Sequence, residues 1–448
     1  MHKTRLEAWI GSKILGRPDA DNLTVGDIRR YQMEKLRETV GYARSQSLFY
    51  SERLRDFGPE RLRDLEDLRE FPFTTPEDLQ EEGPGFLCGS LSEIDRIVTL
   101  QIPGVEGKPR RVFFTQEDLE LTTDFFHHGM ATIVRPGMKV LILMPGDRPG
   151  TVGDLLARAL ERIGVRGIVH GLVQDPGQVI HEIVRHRIDS LVGIPAQVLS
   201  IIRHENAGSI PRGRIRSVLL SSDYVSPAIV QELEALWGCR VFNHYGTTEM
   251  GFGGALQCHA ANGYHVREAD LYFEIVDPSS GEPQPTGRRG EIVFTTLTRK
   301  GMPLMRYRTG DLTRYLPGPC PCGTVLPLLE TVRGRRHEFV RVGSSHWLGI
   351  ADLDDVLFKV SGIVDYRAAV VDGPDGDCLE ITVGAGASDA SEMQIAVHHA
   401  LMQCDVVRDA VLARGLSLGN VACAADPWPA SAVAKRAVQD QRTGGKTG

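Results

Sequence analysis

Apolar side chains recur near helical spacing early in the chain, at Ile28, Tyr31, Leu36, Val40 and Ala43. With the continuation into Phe49-Tyr50, this predicts a helix pair over residues 26–57. From about 136 to 245 the pattern changes to short β-branched runs separated by helical stretches. Lys139-Val140-Leu141-Ile142-Leu143-Met144 ends in Pro145-Gly146-Asp147. A helical stretch at 153–163 leads to Gly167-Ile168-Val169, and runs at 190–195, 217–221 and 240–243 repeat the theme. Strands alternating with helices imply a parallel sheet with ligand loops at the strand C-termini.

Residues 270–316 follow another rule. Strands at 271–276, 291–296 and 311–315 are divided by Pro/Gly turns, as in a distorted β-barrel. After Arg333-Gly334-Arg335 an α+β pattern begins, with a helix over 352–360 and strands near 366–371 and 378–384. The fold class is therefore α/β. A large N-terminal domain, 1–332, carries parallel α/β sheets plus the distorted barrel, and a small α+β domain occupies 333–448.

Composition narrows the function. A chain of 448 residues with 42% hydrophobic and 24% charged residues reads as a globular enzyme with a sizeable core. A net charge of −7 and no basic stripe argue against nucleic acid as a partner. The polar start lacks a signal-peptide core and no run has the length of a membrane span, so cytoplasmic residence is the expectation. Eight cysteines in so long a chain do not form a disulfide scaffold.

Two motifs carry candidate chemistry. Asn243-His244-Tyr245-Gly246-Thr247-Thr248-Glu249 offers a flat aromatic face for a purine (Tyr245), a hydroxyl for a phosphate oxygen (Thr248) and a carboxylate for a divalent cation (Glu249). About sixty residues later, Arg306-Tyr307-Arg308-Thr309-Gly310-Asp311 offers a carboxylate that can accept from two ribose hydroxyls. Alone, Tyr245 reads more readily as a buried turn aromatic and Asp311 as a helix or turn cap. In this order and separation the pair resembles the adenylate-forming superfamily, within it the phenylacetate-CoA ligase-like branch. Thr39-Val40-Gly41-Tyr42-Ala43-Arg44, Thr74-Thr75-Pro76-Glu77-Asp78-Leu79 and Arg111-Val112-Phe113-Phe114-Thr115 extend the resemblance over most of the chain.

The resemblance implies an ATP-dependent ligase that activates an aromatic carboxylic acid, aryl or arylacetic, as its acyl-adenylate. The acyl group then passes to CoA or to an amine, hydroxyl or carrier-protein acceptor, with a role in secondary metabolism. It implies Mg²⁺ on Glu249 and a mobile lid domain after the Arg333-Gly334-Arg335 hinge. Thr248 would contact the α-phosphate, while Asn243, His244, Gly246, Thr247 and Arg335 belong to the nucleotide-binding set. Ser222 and Asp223, after Ser221, stand where the family's adenine-side loop usually reads Gly-Gly-Glu. His128, on a predicted helix with Phe125 and Phe126, joins Gly193, Pro195 and Gly251 around the acyl pocket. Gly246, Gly251, Gly253 and Gly254 would leave room there for a flat ring. A homodimer is compatible with this reading.

Three departures stand out. The phosphate-gripping loop reads Ile102-Pro103-Gly104-Val105-Glu106-Gly107-Lys108-Pro109, with both glycines kept but no hydroxyl, and with an added carboxylate. Backbone N–H groups there can still cradle phosphate, but Glu106 would repel it. In the lid, Val433 stands where the adenylating lysine belongs, and Lys435 or the tail Lys446 is the substitute at hand. His337 replaces an acidic hinge residue. The competing class is a non-catalytic nucleotide- or acyl-adenylate-binding protein of the same fold.

Cys258, His265, Cys320 and Cys322 form Cys-x6-His followed by Cys-Pro-Cys-Gly, a donor set suited to a closed, structural Zn²⁺ site. His259 is an alternative to His265, and unrelated buried thiols are the plainer reading.

Overall fold

The computed structural model describes residues 4–17, 22–100, 109–374, 376–385, 390–424 and 436–443. Contacts group the chain into two compact units. One comprises Met1–Met138, Pro145–Val169 and Phe242–Val332, the other Lys139–Met144, His170–Val241 and Arg333–Gly448.

In the first unit the expected helix pair forms as Val25–Gln46 and Leu48–Arg53. Thr24 and Asp27 close a capping box at the start, and Leu36, Val40 and Ala43 are fully buried. Ser47 divides the pair, because its side chain accepts from Tyr50 N and caps the second helix. A hairpin of Ile94–Leu100 against Arg110–Thr115 runs into the helix Gln116–Met130 through a second box, Thr115 with Asp118. The buried Asp118 also accepts from the N–H groups of Lys300 and Gly301. That ties the helix start to a distant loop.

Strands Leu271–Val276, Gly290–Thr296 and Tyr307–Thr313 form a three-stranded antiparallel sheet. The last strand starts earlier than its apolar pattern suggests, so the Tyr307-to-Asp311 motif lies in the strand rather than before it. The register shifts between Glu291 and Val293. Opposite that shift Gly310 adopts φ +77° and donates its N–H to Glu291 Oε1 at 3.0 Å. A bulge of this kind redirects a strand side chain next to a site.

In the second unit Lys139–Ile142, Ser190–Gly193 and Ser217–Leu220 pair in parallel. Ser190–Gly193 and Ser217–Leu220 are buried at every position, which is why they read as unbroken apolar runs rather than alternating ones. Helices Pro176–His186, Pro195–Ile202 and Pro227–Trp237 each start with proline at the first position, where its missing N–H costs nothing. The later part of this unit is a four-stranded sheet ordered Leu416–Cys423, Gly376–Ala385, Ile363–Gly373, Val438–Asp440. It is accompanied by helices Ile350–Leu357, Ala390–Leu401 and Asp405–Leu412. No described helix is long and apolar enough to cross a membrane.

Candidate active site

The strand Arg240–Tyr245 delivers Asn243, His244 and Tyr245 in succession, and the chain then turns sharply. Phe252 N donates to Thr247 O at 2.9 Å, and Gly254 N to Tyr245 O at 2.9 Å. The turn closes so tightly that a Cβ on Gly246 would lie 2.4 Å from Phe252 O. One on Gly253 would lie 2.4 Å from the Phe125 ring, and one on Gly254 2.8 Å from Met250 Sδ. These three glycines therefore admit the chain's own atoms, which corrects the expectation that they leave room for a flat ring. Gly251 differs: with φ +79°, it lines a cavity of about 20 Å³ shared with Thr122, Arg267 and Arg299. That volume holds a water-sized guest.

The two motif halves meet. Tyr245 donates its hydroxyl to Asp311 Oδ2 at 2.6 Å, and both residues are buried. The backbone N–H of Asp311 donates to Thr309 Oγ1, whose own hydroxyl is spent on Ile292 O. Buried Asn243 Oδ1 and Thr247 Oγ1 have no hydrogen-bond partner among the described residues. Unpaired buried oxygens at a loop end are costly, as expected where a ligand completes the set. His244 is enclosed by Phe125 and Phe126. Burial first, then the charge of Arg267, push its pKa down to about 4, so it is neutral at physiological pH.

Glu249 is buried at the end of the turn, where its Oε1 accepts from Arg110 Nη1 and from the Tyr307 hydroxyl, each at 3.3 Å. Arg110 also donates to Tyr307 at 3.2 Å. Beneath them, Arg299 donates to Glu249 O at 2.7 Å and to Phe113 O at 2.9 Å, with its guanidinium over the Phe114 ring. Sequence reasoning missed both arginines. Arg110 follows the Lys108-Pro109 pair, which was its only signal; Arg299 had none. Thr248 is half-buried beside Glu249.

His128 lies on the side of its helix that faces Trp9, stacked on that ring at 5.4 Å and 3.4 Å from Asp124. Trp9 donates to the same carboxylate at 2.8 Å.

Cys258, His265, Cys320 and Cys322 converge, with their ligand atoms all within 4.8 Å of one another. Cys258 Sγ and Cys320 Sγ are 3.6 Å apart, as are Cys322 Sγ and His265 Nε2. Two thiolates at about 2.3 Å from a tetrahedral zinc stand about 3.8 Å apart, so these spacings fit the ion. His265 Nδ1 lies 3.2 Å from Pro327 O, the backbone contact that leaves Nε2 facing the sulfurs. His259 instead packs on Phe242, so the structure brings His265, not His259, to the sulfurs.

In the second unit Ser222, at φ +76°, takes the left-handed conformation that favours glycine. It stands where the resembled loop carries one. Asp223 Oδ1 accepts from Tyr224 N, and its other oxygen lies 3.8 Å from Arg436. Arg436 pairs with Asp354 at 2.6 Å and Asp365 at 3.0 Å, over the rings of Phe358 and Tyr366. Arg333 donates to the Tyr224 hydroxyl and to Asp355, both at 2.8 Å, which binds the hinge sequence to the segment after Ser222. Arg335 donates its N–H to Glu338, and His337 sits in the short turn Arg336–Glu338. Gly193 ends its strand where a Cβ would meet Val198 at 2.9 Å, and Pro195 opens the next helix. Lys435, Lys446, Val433 and the phosphate-loop residues 102–108 lie outside the described residues.

An α/β chain that joins a Tyr-Gly-Thr-Thr-Glu turn to a buried aspartate on a neighbouring sheet defines an AMP-binding, adenylate-forming enzyme. The family model for AMP-binding enzymes matches residues 162–298. The chain is 30% identical over 361 residues to phenylacetate-coenzyme A ligase of Thermus thermophilus, covering 79% of this chain and 80% of that protein. It is 31% identical over 307 residues to the Pseudomonas putida ligase of the same name, covering 66% and 69%. Among solved structures, 2-hydroxyisobutyryl-CoA ligase with its acyl-AMP superposes with a TM-score of 0.78 at 20% identity over 93% of this chain and 90% of that one. That likeness concerns the fold. The chain belongs to the phenylacetate-coenzyme A ligase family of adenylate-forming acid–CoA ligases.

Proposed function

We propose that this protein activates an aryl or arylacetic acid with ATP, releases pyrophosphate and transfers the acyl group from the adenylate to CoA. The observation that carries the reading is the convergence of Tyr245, Asp311 and Glu249 in one unit, with Tyr245 bonded to Asp311. Asp311 holds the ribose hydroxyls, Tyr245 stacks on the base, and Thr248 donates to the α-phosphate. Asn243 and Thr247 supply buried oxygens that a nucleotide's donors would satisfy. A divalent cation such as Mg²⁺ on Glu249 would neutralise phosphate charge, the main route to catalysis when little covalent chemistry falls to the protein.

The roles taken from the family for Ser222, Asp223 and Arg335 in the nucleotide set, and for His128, Gly193, Pro195 and Gly251 in the acyl pocket, belong to the same proposal. So do Lys435 as the adenylating lysine, and an amine, hydroxyl or carrier thiol as acceptor in a secondary-metabolic setting. Zn²⁺ on Cys258, His265, Cys320 and Cys322 is structural, since four protein ligands leave no position open.

Pyrophosphate release with a panel of benzoic and phenylacetic acids, with and without CoA, tests the reading. Release that depends on both acid and ATP is expected. Its absence at high enzyme concentration would sink the ligase reading and leave an adenylate-binding protein.

A further inference from the structure

Arg110 opens the strand that leaves the phosphate-loop sequence, and its guanidinium rests on Glu249 and Tyr307. Only 12% of its side chain and 7% of that of Glu249 are exposed. The arginine therefore occupies, with its own positive charge, the carboxylate assigned above to the divalent cation. A guanidinium stays charged at any accessible pH, so it cannot yield by losing a proton. When a second cation binds Glu249 at this depth, like-charge repulsion is poorly screened and the arginine must turn away.

The chain has a use for it. Residues 102–109 carry none of the hydroxyls that grip phosphate in the resembled loop and add Glu106, which leaves Lys108 as the one side-chain donor of that segment. Arg110 follows that loop directly. Its Nε is buried and has no hydrogen-bond partner among the described residues. With one Nη it presents the two-toothed edge that matches a phosphate group. The frame would not move with the side chain, because Arg299 clamps the backbone carbonyls of Glu249 and Phe113, one on each of the two segments involved.

We propose that Arg110 is an exchangeable cation. It neutralises Glu249 in the metal-free protein and grips the β- and γ-phosphates, and later pyrophosphate, once a metal ion holds Glu249. This rests on the assignment of Glu249 as the metal ligand.

Direct binding tests both halves without turnover, using Mn²⁺, inorganic pyrophosphate with Mg²⁺, and AMP as probes on wild type, Arg110→Met, Arg110→Lys and Glu249→Gln. Arg110→Met is expected to weaken pyrophosphate binding about 10-fold or more and to change AMP binding less than about 2-fold. It should also tighten Mn²⁺ binding in the absence of nucleotide several-fold, because the competing cation is gone. A merely structural arginine would not move metal and pyrophosphate affinity in opposite directions. Arg110→Lys, which keeps the charge but loses the fork, should fall between. If Arg110→Met leaves pyrophosphate affinity unchanged, or weakens Mn²⁺ binding, the exchange is overturned. If Glu249→Gln binds Mn²⁺ like wild type, the metal assignment itself fails, whatever Arg110 does.

Discussion

The phenol of Tyr245 donates to Asp311 Oδ2 at 2.6 Å across 66 residues of sequence, so the residues proposed to stack on the base and to hold the ribose form one hydrogen-bonded unit. A buried carboxylate needs such donors, and here the donor is the residue that also presents the aromatic face.

Tyr245→Phe is therefore expected to cost about 1.5–3 kcal/mol of stability, the range for a hydrogen bond to a charged group. AMP affinity should fall with it. A double-mutant cycle with Asp311→Asn, read by urea denaturation, should give a coupling of about 1 kcal/mol or more. Strict additivity would mean that the bond contributes nothing.

His244 predicts a pH dependence. Its folded pKa of about 4 lies below the ordinary 6.5 because of burial and Arg267. The unfolded chain therefore takes up a proton first as the pH falls. Stability from this group is complete above pH 6.5 and is lost on acidification towards 4. Between about pH 7.5 and 4.5, wild type should lose about 2–3 kcal/mol more than His244→Gln. Parallel stability curves for the two proteins would rule this out.

Elemental analysis after chelator washing should find about one equivalent of zinc per chain in wild type and well under half in Cys320→Ser. The variant should also be less stable by about 2–4 kcal/mol, since losing a structural metal ranks among the costly changes. Full stability without zinc would leave the four residues as ordinary buried side chains.

Burial opposes the charge on Arg436, yet Asp354, Asp365 and Asp223 hold it well above its ordinary range. Burial pushes Asp354 up to about 6, so both partners are ionised at neutral pH. Arg436→Ala leaves a buried carboxylate unpaired and should cost about 3–5 kcal/mol. Adding Asp354→Asn should recover part of that loss in chemical denaturation.

At the catalytic level, Glu249→Gln should abolish adenylate formation. Lys435→Ala should slow it on the order of 100- to 1000-fold, the usual cost of one charge-stabilising donor. An unchanged adenylation rate in Lys435→Ala would remove that lysine from the reaction.

Much of this was legible beforehand. The alternation of strand and helix from 136 to 245 forecast the parallel strands Ser190–Gly193 and Ser217–Leu220, because positions buried on both faces leave a continuous apolar run. The cysteine spacing forecast a cluster that the structure assembles. Gly246, Gly253 and Gly254 mislead because composition shows a missing side chain but not what fills its space. Phe125 sets its ring where a Cβ on Gly253 would lie, and the same ring packs on His244. Neither contact has a sequence signature, because each joins a helix residue to a strand or turn far along the chain, beyond the reach of any local period.

By itself, the sequence determined the class of fold, the order of the motifs and the chemistry available in each. Local propensity, apolar period and residue type act over a few positions and survive without tertiary context. Only the tertiary structure decided the partners: Tyr245 with Asp311, Arg110 with Glu249, and Arg436 with its aspartates. The reason is desolvation. A polar group removed from water must find a partner nearby, and which one is near depends on how segments distant in sequence pack together.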